Sequence, residues 1–333
     1  MLTDSVVFVT GSGTLATQAV RSLKDKCRKI IIYSRDGHKH RKLRDKFGAD
    51  KNIRYIIGDI LNKDSLMQAM HGVDFCLHTA ALKMIETGFF CADQVTRVNV
   101  FGTMNVAEVA IERGVKKALF ISSDKACSPI NGLTYGLSKA LAESVWISYN
   151  NKSTRGGTIL AATRYGNIIN SNASFYDILE EQKKTGVIKI TDLNMTRFYF
   201  TIKEAMKLNI FAFTNAKYGG EIFVPKLKSA SITTFIEAFA QEYPKEVIGL
   251  RGTEKLAEEM ISQQEMRYTY LCHGIDGTQY FKIVPEYIRT HNLGWNVEAN
   301  ETNPIIPFKY TSDSPDVERL SIEDLKTMVR KEE

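Results

Sequence analysis

The chain has 333 residues, a formal net charge of +6, and 44% hydrophobic and 25% charged residues. At roughly 100–200 residues per domain this allows about two domains, and the composition excludes disordered and fibrous classes. No run approaches the ~18 apolar residues of a membrane span, and the start reads as neither a signal nor a transit peptide. Five scattered cysteines without a CxxC pair argue against a disulfide framework or a zinc site and suit a reducing cytosol.

In chain order, the first half alternates apolar strands with helical stretches. Strands are predicted at Ser5–Thr10, Lys29–Ser34, Ile53–Ile57, Asp74–Leu77, Ala118–Ser122 and Thr158–Thr163, several of them apolar throughout. Helices are predicted at Thr14–Asp25, His40–Phe47, Lys63–Met70, Asp93–Arg113 and Thr134–Tyr149, and Gly48, Gly72 and Gly114 stand where C-terminal caps are wanted. This pattern predicts an α/β fold with a doubly wound parallel Rossmann sheet that binds ligands at the carboxyl ends of its strands. Beyond Gly166 the alternation lapses: helices are expected at Ser171–Thr185 and Ile202–Thr214, then a strand at Glu221–Val224 and a mixed region. The expected division is a cofactor domain over 1–166, completed by about 198–226, and a smaller mixed α/β substrate-binding region over 167–333.

The charge is concentrated. Residues 24–54 hold twelve Lys/Arg against four Asp, a net +8, leaving 32 basic against 34 acidic residues elsewhere. Such a patch can serve nucleic acid, a membrane surface or a phosphate ligand, or be a solvated helix face. HKHRKLR (38–44) lacks aromatic interleaving and any recognition motif, so a nucleic-acid partner is not expected.

The first strand runs into TGSGTLA, where Gly11, Gly13 and Ala16 match the G-x-G-x-x-G/A spacing and Ser12, Thr14 and Leu15 fill the turn. The spacing supplies a tight turn, close backbone approach to a pyrophosphate and amide donors at a helix N-terminus. The second strand ends in Ser34-Arg35-Asp36. A guanidinium fork suits a ribose 2′-phosphate, which favours NADP over NAD, although Asp36 within reach of the ribose keeps NAD open. Asp59 and Ile60, after the third strand, are placed to line the adenine.

After the fifth strand comes SSDKACSPINGLTYGLSKA. Tyr135 and Lys139 are four apart on one helix, hence on one face, and an ammonium near a phenol lowers its pKa toward a usable base. This pair points to a short-chain dehydrogenase/reductase site, beside which Asp124-Lys125 falls.

Here the residues carry a specific resemblance. AALK (80–83), TRVNVFGTMNV, SSDKACSPIN (122–131), TRYGN (163–167), TDLNMTRFYFT (191–201), GGEIFVPK (219–226), LRGTEKLAEEM (250–260) and YTSDSPDVERLSIEDL (310–325) occur in order. Together they resemble the short, soluble nucleoside-diphosphate-sugar 4,6-dehydratases of polysaccharide biosynthesis, and among these the UDP-N-acetylglucosamine 4,6-dehydratase (5-inverting) group. The resemblance covers almost the whole chain.

It implies a redox-neutral elimination. A hydride leaves sugar carbon 4 for the nicotinamide, the acidified carbon-5 proton is removed, the carbon-6 hydroxyl departs as water, and the hydride returns to carbon 6. By residue matching, Tyr135 with Lys139 deprotonates the alcohol, Lys125 is the carbon-5 base, Asp124 is the acid for the departing hydroxyl, and Ser123 hydrogen-bonds the reacting oxygen. Ala80, Ala81, Lys83 and Asn99 fall beside the cofactor, Asn99 in a structural role. Lys83, Asn167, Arg197, Arg251 and Glu254 fall near the sugar nucleotide, where a guanidinium suits a diphosphate and a carboxylate suits ribose hydroxyls. The resemblance also implies a cytoplasmic homo-oligomer, a dimer or hexamer.

Three departures from the family pattern stand out. The glycine loop is one residue shorter than usual, with Ala16 for the last glycine; PINGLTYG carries about two extra residues before Tyr135; and SNAS (171–174) replaces a segment that commonly holds an arginine. A nucleotide-sugar 4-epimerase would share the cofactor site and Tyr135/Lys139 but would not need Asp124-Lys125. A nonenzymatic NADP-binding regulator is the third reading.

Overall fold

The structure is a computed structural model that describes residues 2–330 apart from 49, 84–89, 131–132, 154–156, 170, 172–173, 253, 291–300 and 303–308. Asn131 and Gly132 of PINGLTYG and the centre of SNAS lie outside the described residues.

Each strand forms where an apolar, β-branched run meets a turn. In chain order these are β1 (Val6–Thr10), β2 (Lys29–Ser34), β3 (Ile53–Ile57), β4 (Phe75–His78), β5 (Lys117–Ser123), β6 (Ile159–Tyr165), β7 (Asn167–Ile168), β8 (Ile188–Ile190), β9 (Thr196–Phe200), β10 (Ile222–Pro225), β11 (Ser229–Ser231), β12 (Lys245–Val247), β13 (Glu259–Ile261), β14 (Thr269–His273), β15 (Gln279–Ile283), β16 (Glu301–Thr302) and β17 (Tyr310–Thr311). Among the described residues, ten of them make one sheet in the order β16-β14-β15-β10-β6-β5-β4-β1-β2-β3. The seven from β10 to β3 are parallel throughout. Their carboxyl ends therefore share one edge, and the order reverses between β1 and β4, where doubly wound sheets take their ligands.

Alternate residues of these strands feed two cores, as a sheet covered on both faces requires. Val6 and Phe8 pack on one side with Trp146 and Val106. Val7 and Val9 pack on the other with Ala19, Val20, Met206 and Phe213. A third, smaller core gathers the helices Phe175–Thr185, Ile232–Ala240 and Ile322–Arg330 around Phe235 and Tyr199, away from the main sheet.

The expected helix over 93–113 begins at Ala92 and is interrupted by a π-helical turn, Arg97–Phe101, that carries Asn99. The helix expected from Ser171 begins at Phe175, because Ser174 and Asp177 close a capping box on its first turn. Gly48, Gly72 and Gly114 take positive φ at helix ends, as expected. The hairpin β14–β15 and the short β16 extend the sheet antiparallel, which the sequence pattern did not announce. Lys282 and Glu301, a fully buried ion pair on these strands, interrupt the apolar alternation that would have marked them.

Candidate active site

At the carboxyl end of β1 the chain turns at Gly11 with φ 87°, and a Cβ there would come within 2.8 Å of Thr79 Oγ1. Only glycine meets both conditions. A Cβ on Gly13 would meet nothing within 4 Å, so the backbone is open on that side. Helix Thr14–Leu23 starts with no side-chain cap and no acidic residue in its first turn, leaving its first amides for a ligand. Ala16, in place of the third glycine, is fully buried between helix and strand. The loop thus has the open backbone cradle that a dinucleotide pyrophosphate requires.

Thr10 ties this loop to the next strand. Its hydroxyl accepts from the amides of Thr79 and Ala80, both at 3.1 Å, and meets His78 Nδ1 at 2.7 Å. Ala80 and Ala81 are half-buried beside it. Asn99 is buried and clamps the following segment: it donates to Leu82 O and Ser138 Oγ, both at 3.0 Å, and accepts from Leu82 N at 2.8 Å. Lys83 is exposed, with Asp177 and Lys39 as charged neighbours.

At the end of β2, Ser34 Oγ donates to Ser12 Oγ at 3.0 Å and lies 2.8 Å from His40 Nε2. Asp36 caps the next helix by accepting from Lys39 N, which commits its carboxylate. Arg35 is left exposed, 3.5 Å from Asp59. Asp59 also accepts from Leu61 N, while the Ile60 side chain is buried, and a Cβ on Gly102 would come within 2.5 Å of its Cδ1. The Ile60 side chain thus packs into the core, on Gly102. Sequence reasoning missed His40, yet His40 and Leu43 are the buried residues of their helix, and the i, i+3 spacing was the available signal. Lys39, Arg41, Lys42 and Arg44 are all exposed, as a solvated helix face.

Beyond β5, Ser123 caps the short helix Asp124–Cys127. Asp124 is 2% exposed; its Oδ1 accepts from Ser123 Oγ at 2.7 Å and Lys125 N at 2.8 Å, and its Oδ2 is buried without a partner. Lys125 Nζ lies 3.4 Å from Asp124 Oδ1 and 3.4 Å from Glu258 Oε1. Burial works to strip its proton, but the two carboxylates outweigh it and hold the ammonium above the usual lysine range. Lys125, Tyr135, Lys255 and Glu258 line a small cavity of about 20 Å³ with Ser128, Ile130, Leu133 and Gly136.

Tyr135 and Lys139 both lie on helix Thr134–Ser148. Burial raises the Tyr135 pKa, opposed by the charge of Lys125 and the Ser123 hydroxyl. Lys139 turns inward: Nζ donates to Ile121 O at 2.5 Å and lies 3.9 Å over the Phe120 ring. Burial brings its pKa down to about 7 against the pull of Glu143. The phenol's cationic neighbour is thus Lys125, and its pKa is raised instead of lowered.

The proposed nucleotide residues separate into two groups. Asn167 pairs in register with Tyr199 across β7 and β9. Arg197, nearly buried, donates to Thr196 O, Leu256 O and Lys255 O and stands 3.7 Å from Glu258, so its fork grips the 255–258 segment. Arg251 is exposed, and it shares a turn with Glu254, whose amide donates to Arg251 O. Glu258 and Lys255 were passed over within LRGTEKLAEEM; Glu258 meets a lysine 133 residues earlier, and no local pattern reports such a contact.

Among the described residues no cluster could hold a metal ion, and no helix is long and apolar enough to cross a membrane. The ten-stranded Rossmann sheet and the residues at its carboxyl edge define an enzyme of the extended short-chain dehydrogenase/reductase type. Comparison with known proteins narrows this. The family described as "Polysaccharide biosynthesis protein" matches residues 7–276, and the chain belongs to it. The UDP-N-acetylglucosamine 4,6-dehydratase (inverting) of Campylobacter jejuni subsp. jejuni serotype O:2 is 35% identical over 270 residues, 80% of each chain. The UDP-glucose 4-epimerase of Rickettsia conorii is 32% identical over 340 positions, covering 99% of this chain and 96% of its own. The X-ray structure of Pen from Bacillus thuringiensis matches with a TM-score of 0.88 and 30% identity, covering 99% of this chain and 98% of that one. The protein is therefore of the nucleotide-sugar dehydratase/epimerase type.

Proposed function

We propose that the protein is an NADP-dependent nucleotide-sugar 4,6-dehydratase acting on UDP-N-acetylglucosamine and giving the 4-keto-6-deoxy sugar with inversion at carbon 5. The observation that carries this reading is the Asp124–Lys125 pair beside Tyr135: Lys125 and Tyr135 share a cavity wall, and Asp124 Oδ1 is 3.4 Å from Lys125 Nζ. An epimerase needs the tyrosine and the helix lysine but no second acid–base pair. The inverting dehydratase relative from C. jejuni adds to it.

When bound, NADP accepts and returns the hydride. The Gly11–Leu15 loop and the first amides of its helix would hold its pyrophosphate, and Arg35, exposed while Asp36 is spent as a cap, its 2′-phosphate. Tyr135 takes the carbon-4 hydroxyl proton, with Ser123 beside it. Transfer of the Lys125 proton to Asp124, 3.4 Å away, would leave both the amine that removes the carbon-5 proton and the acid that protonates the departing carbon-6 hydroxyl, with Oδ2 the oxygen left without a partner. Arg251 and Glu254 would meet the nucleotide. Arg197 shapes that site through the 255–258 backbone. Residues 1–166 with the returning strand β10 would form the cofactor domain and 167–333 mainly the substrate region. The same reading has the enzyme as a cytoplasmic homo-oligomer.

The test is incubation of the protein with NADP and UDP-N-acetylglucosamine in deuterium oxide, followed by mass spectrometry and NMR. Loss of one water with deuterium at carbon 5 is the expected result. An isobaric product identifies the epimerase, the reading favoured by the Rickettsia relative that spans nearly the whole chain. Cofactor binding without turnover identifies the regulator.

A further inference from the structure

Lys125 meets one carboxylate from its own chain neighbour and one from a distant segment. Nζ is 3.4 Å from an oxygen of each. The distant residue, Glu258, is 4% exposed and placed by its backbone: its amide donates to Ser312 Oγ and its carbonyl accepts from Ser312 N, both at 2.9 Å. Its Oε1 is shared with Arg197 Nε at 3.7 Å, and its Oε2 is buried without a partner. The other charged or titratable groups facing this cluster are Asp124 across Lys125, and Tyr135 and Lys255 in the cavity wall.

We propose that Glu258 is a positioning residue that acts through Lys125, fixing it as an ammonium in the resting enzyme and thereby setting the strength of the base it becomes. The proposal rests on the reading of Lys125 as the carbon-5 base. The two lysines of the site are tuned in opposite directions by what surrounds them. Lys139, with an aromatic ring and a carbonyl for neighbours, loses charge by burial. Lys125 is only partly buried, and two anions flank its ammonium. A counter-charge makes the free amine a stronger base and also lowers the fraction of it present, so it sets the pH range over which the base works. Asp124 cannot supply this alone, because it must hold a proton to act as the acid, and a protonated Asp124 offers no anion. Glu258 lies outside the acid's role and keeps the counter-charge through that step.

The test reads Lys125 without turnover. Acetic anhydride labelling of Nζ is followed by mass spectrometry across pH, with exposed Lys42 as the internal standard, in the wild type, Glu258→Gln and Glu258→Asp. In Glu258→Gln the pH at which Lys125 begins to label moves down by roughly 1–3 units, the effect of removing an opposite charge at this range, and Glu258→Asp stays near the wild type. An unmoved onset in folded Glu258→Gln overturns the proposal. If that variant does not fold, Glu258→Ala is read in its place: an onset moved down supports the proposal, and an unmoved onset overturns it. Because labelling needs no substrate, a failure here is separate from a failure of the dehydratase reading. Where turnover is measured, the acid limb of deuterium incorporation at carbon 5 moves down in Glu258→Gln; a purely structural defect would lower the rate at every pH and leave the limb in place.

Discussion

Around Gly11 the site is made of backbone and small hydroxyls: a positive-φ glycine, the open side of Gly13, and Thr10 tying two strand ends together. Around Lys125 it is made of charged side chains contributed by helix Asp124–Cys127, β9 and the 255–258 segment, with the Tyr135 phenol beside them. The first arrangement depends on backbone and uncharged hydroxyls and tolerates exchange of side chains that point elsewhere. The second depends on charges that balance only in the folded chain, so removing one leaves its partner exposed to the full cost of burial. The acid–base end should therefore be the more fragile of the two, in activity and in stability.

The largest expected effect is at that end. Lys125→Ala should lower dehydration of UDP-N-acetylglucosamine by about 10²–10⁴-fold, the usual contribution of a general base. Mass spectrometry of the product measures it, and full activity in this variant would remove Lys125 from the mechanism. Next comes the cluster that anchors the segment after Glu258. Arg164, 3% exposed, binds Glu143 at 2.5 and 3.0 Å, Glu265 at 2.6 and 2.9 Å, and Met260 O at 3.0 Å. Arg164→Met strands two carboxylates and should cost about 3–5 kcal/mol in urea unfolding. A loss below ~1 kcal/mol, typical of an exposed pair, would mean that this end is no more fragile than the other.

At the cofactor end the expected change is in selectivity. Arg35→Leu should reduce the preference for NADP over NAD about 10–100-fold by fluorescence titration, the weight of one charge-assisted hydrogen bond. Equal loss for both cofactors would place Arg35 away from the 2′-phosphate.

How much could be read in advance follows the same division. The strands from Val6 to Tyr165, the glycine turn and the serine–arginine end of β2 are written in local spacing, and the structure has them within one or two residues of expectation. The Asp124-Lys125 and Tyr135/Lys139 pairs stand out in the sequence because each is local to one turn or one helix. What these side chains do to each other was not legible. Lys139 is drawn to Ile121 O, Tyr135 takes its cation from Lys125, and Lys125 takes its second anion from Glu258. Arg197 donates to three backbone carbonyls, two of them about 60 residues away. Each is a contact between segments remote in sequence, settled by packing. The antiparallel extension β14–β16 was missed for a related reason, since a buried ion pair breaks the pattern that identifies strands.

His78, buried behind the glycine turn, gives the smallest predicted effect. Thr10 Oγ1 accepts from two amides, so its own proton goes to His78 Nδ1; Nε2–H then donates to Thr103 Oγ1 at 3.0 Å, which donates to Asn99 O at 2.7 Å. The chain of bonds leaves no place for a second ring proton, and the ring is stacked on Trp146 at 5.7 Å. Burial, with the nearby charge of Lys139, brings its pKa down to about 3. The folded protein thus keeps His78 neutral where the unfolded chain, with an ordinary value of ~6.5, is protonated. Between pH 6.5 and 3 the unfolded state binds more protons, so stability falls as pH falls through that window and is regained above it. From pH 7 to 5.5 the loss should be about 1 kcal/mol. Urea midpoints of the wild type and His78→Gln at both pH values isolate it from the carboxylates, which titrate in both proteins. If the two lose the same stability on acidification, the buried bond chain tolerates an imidazolium, and the cofactor end is less rigidly specified than its geometry indicates.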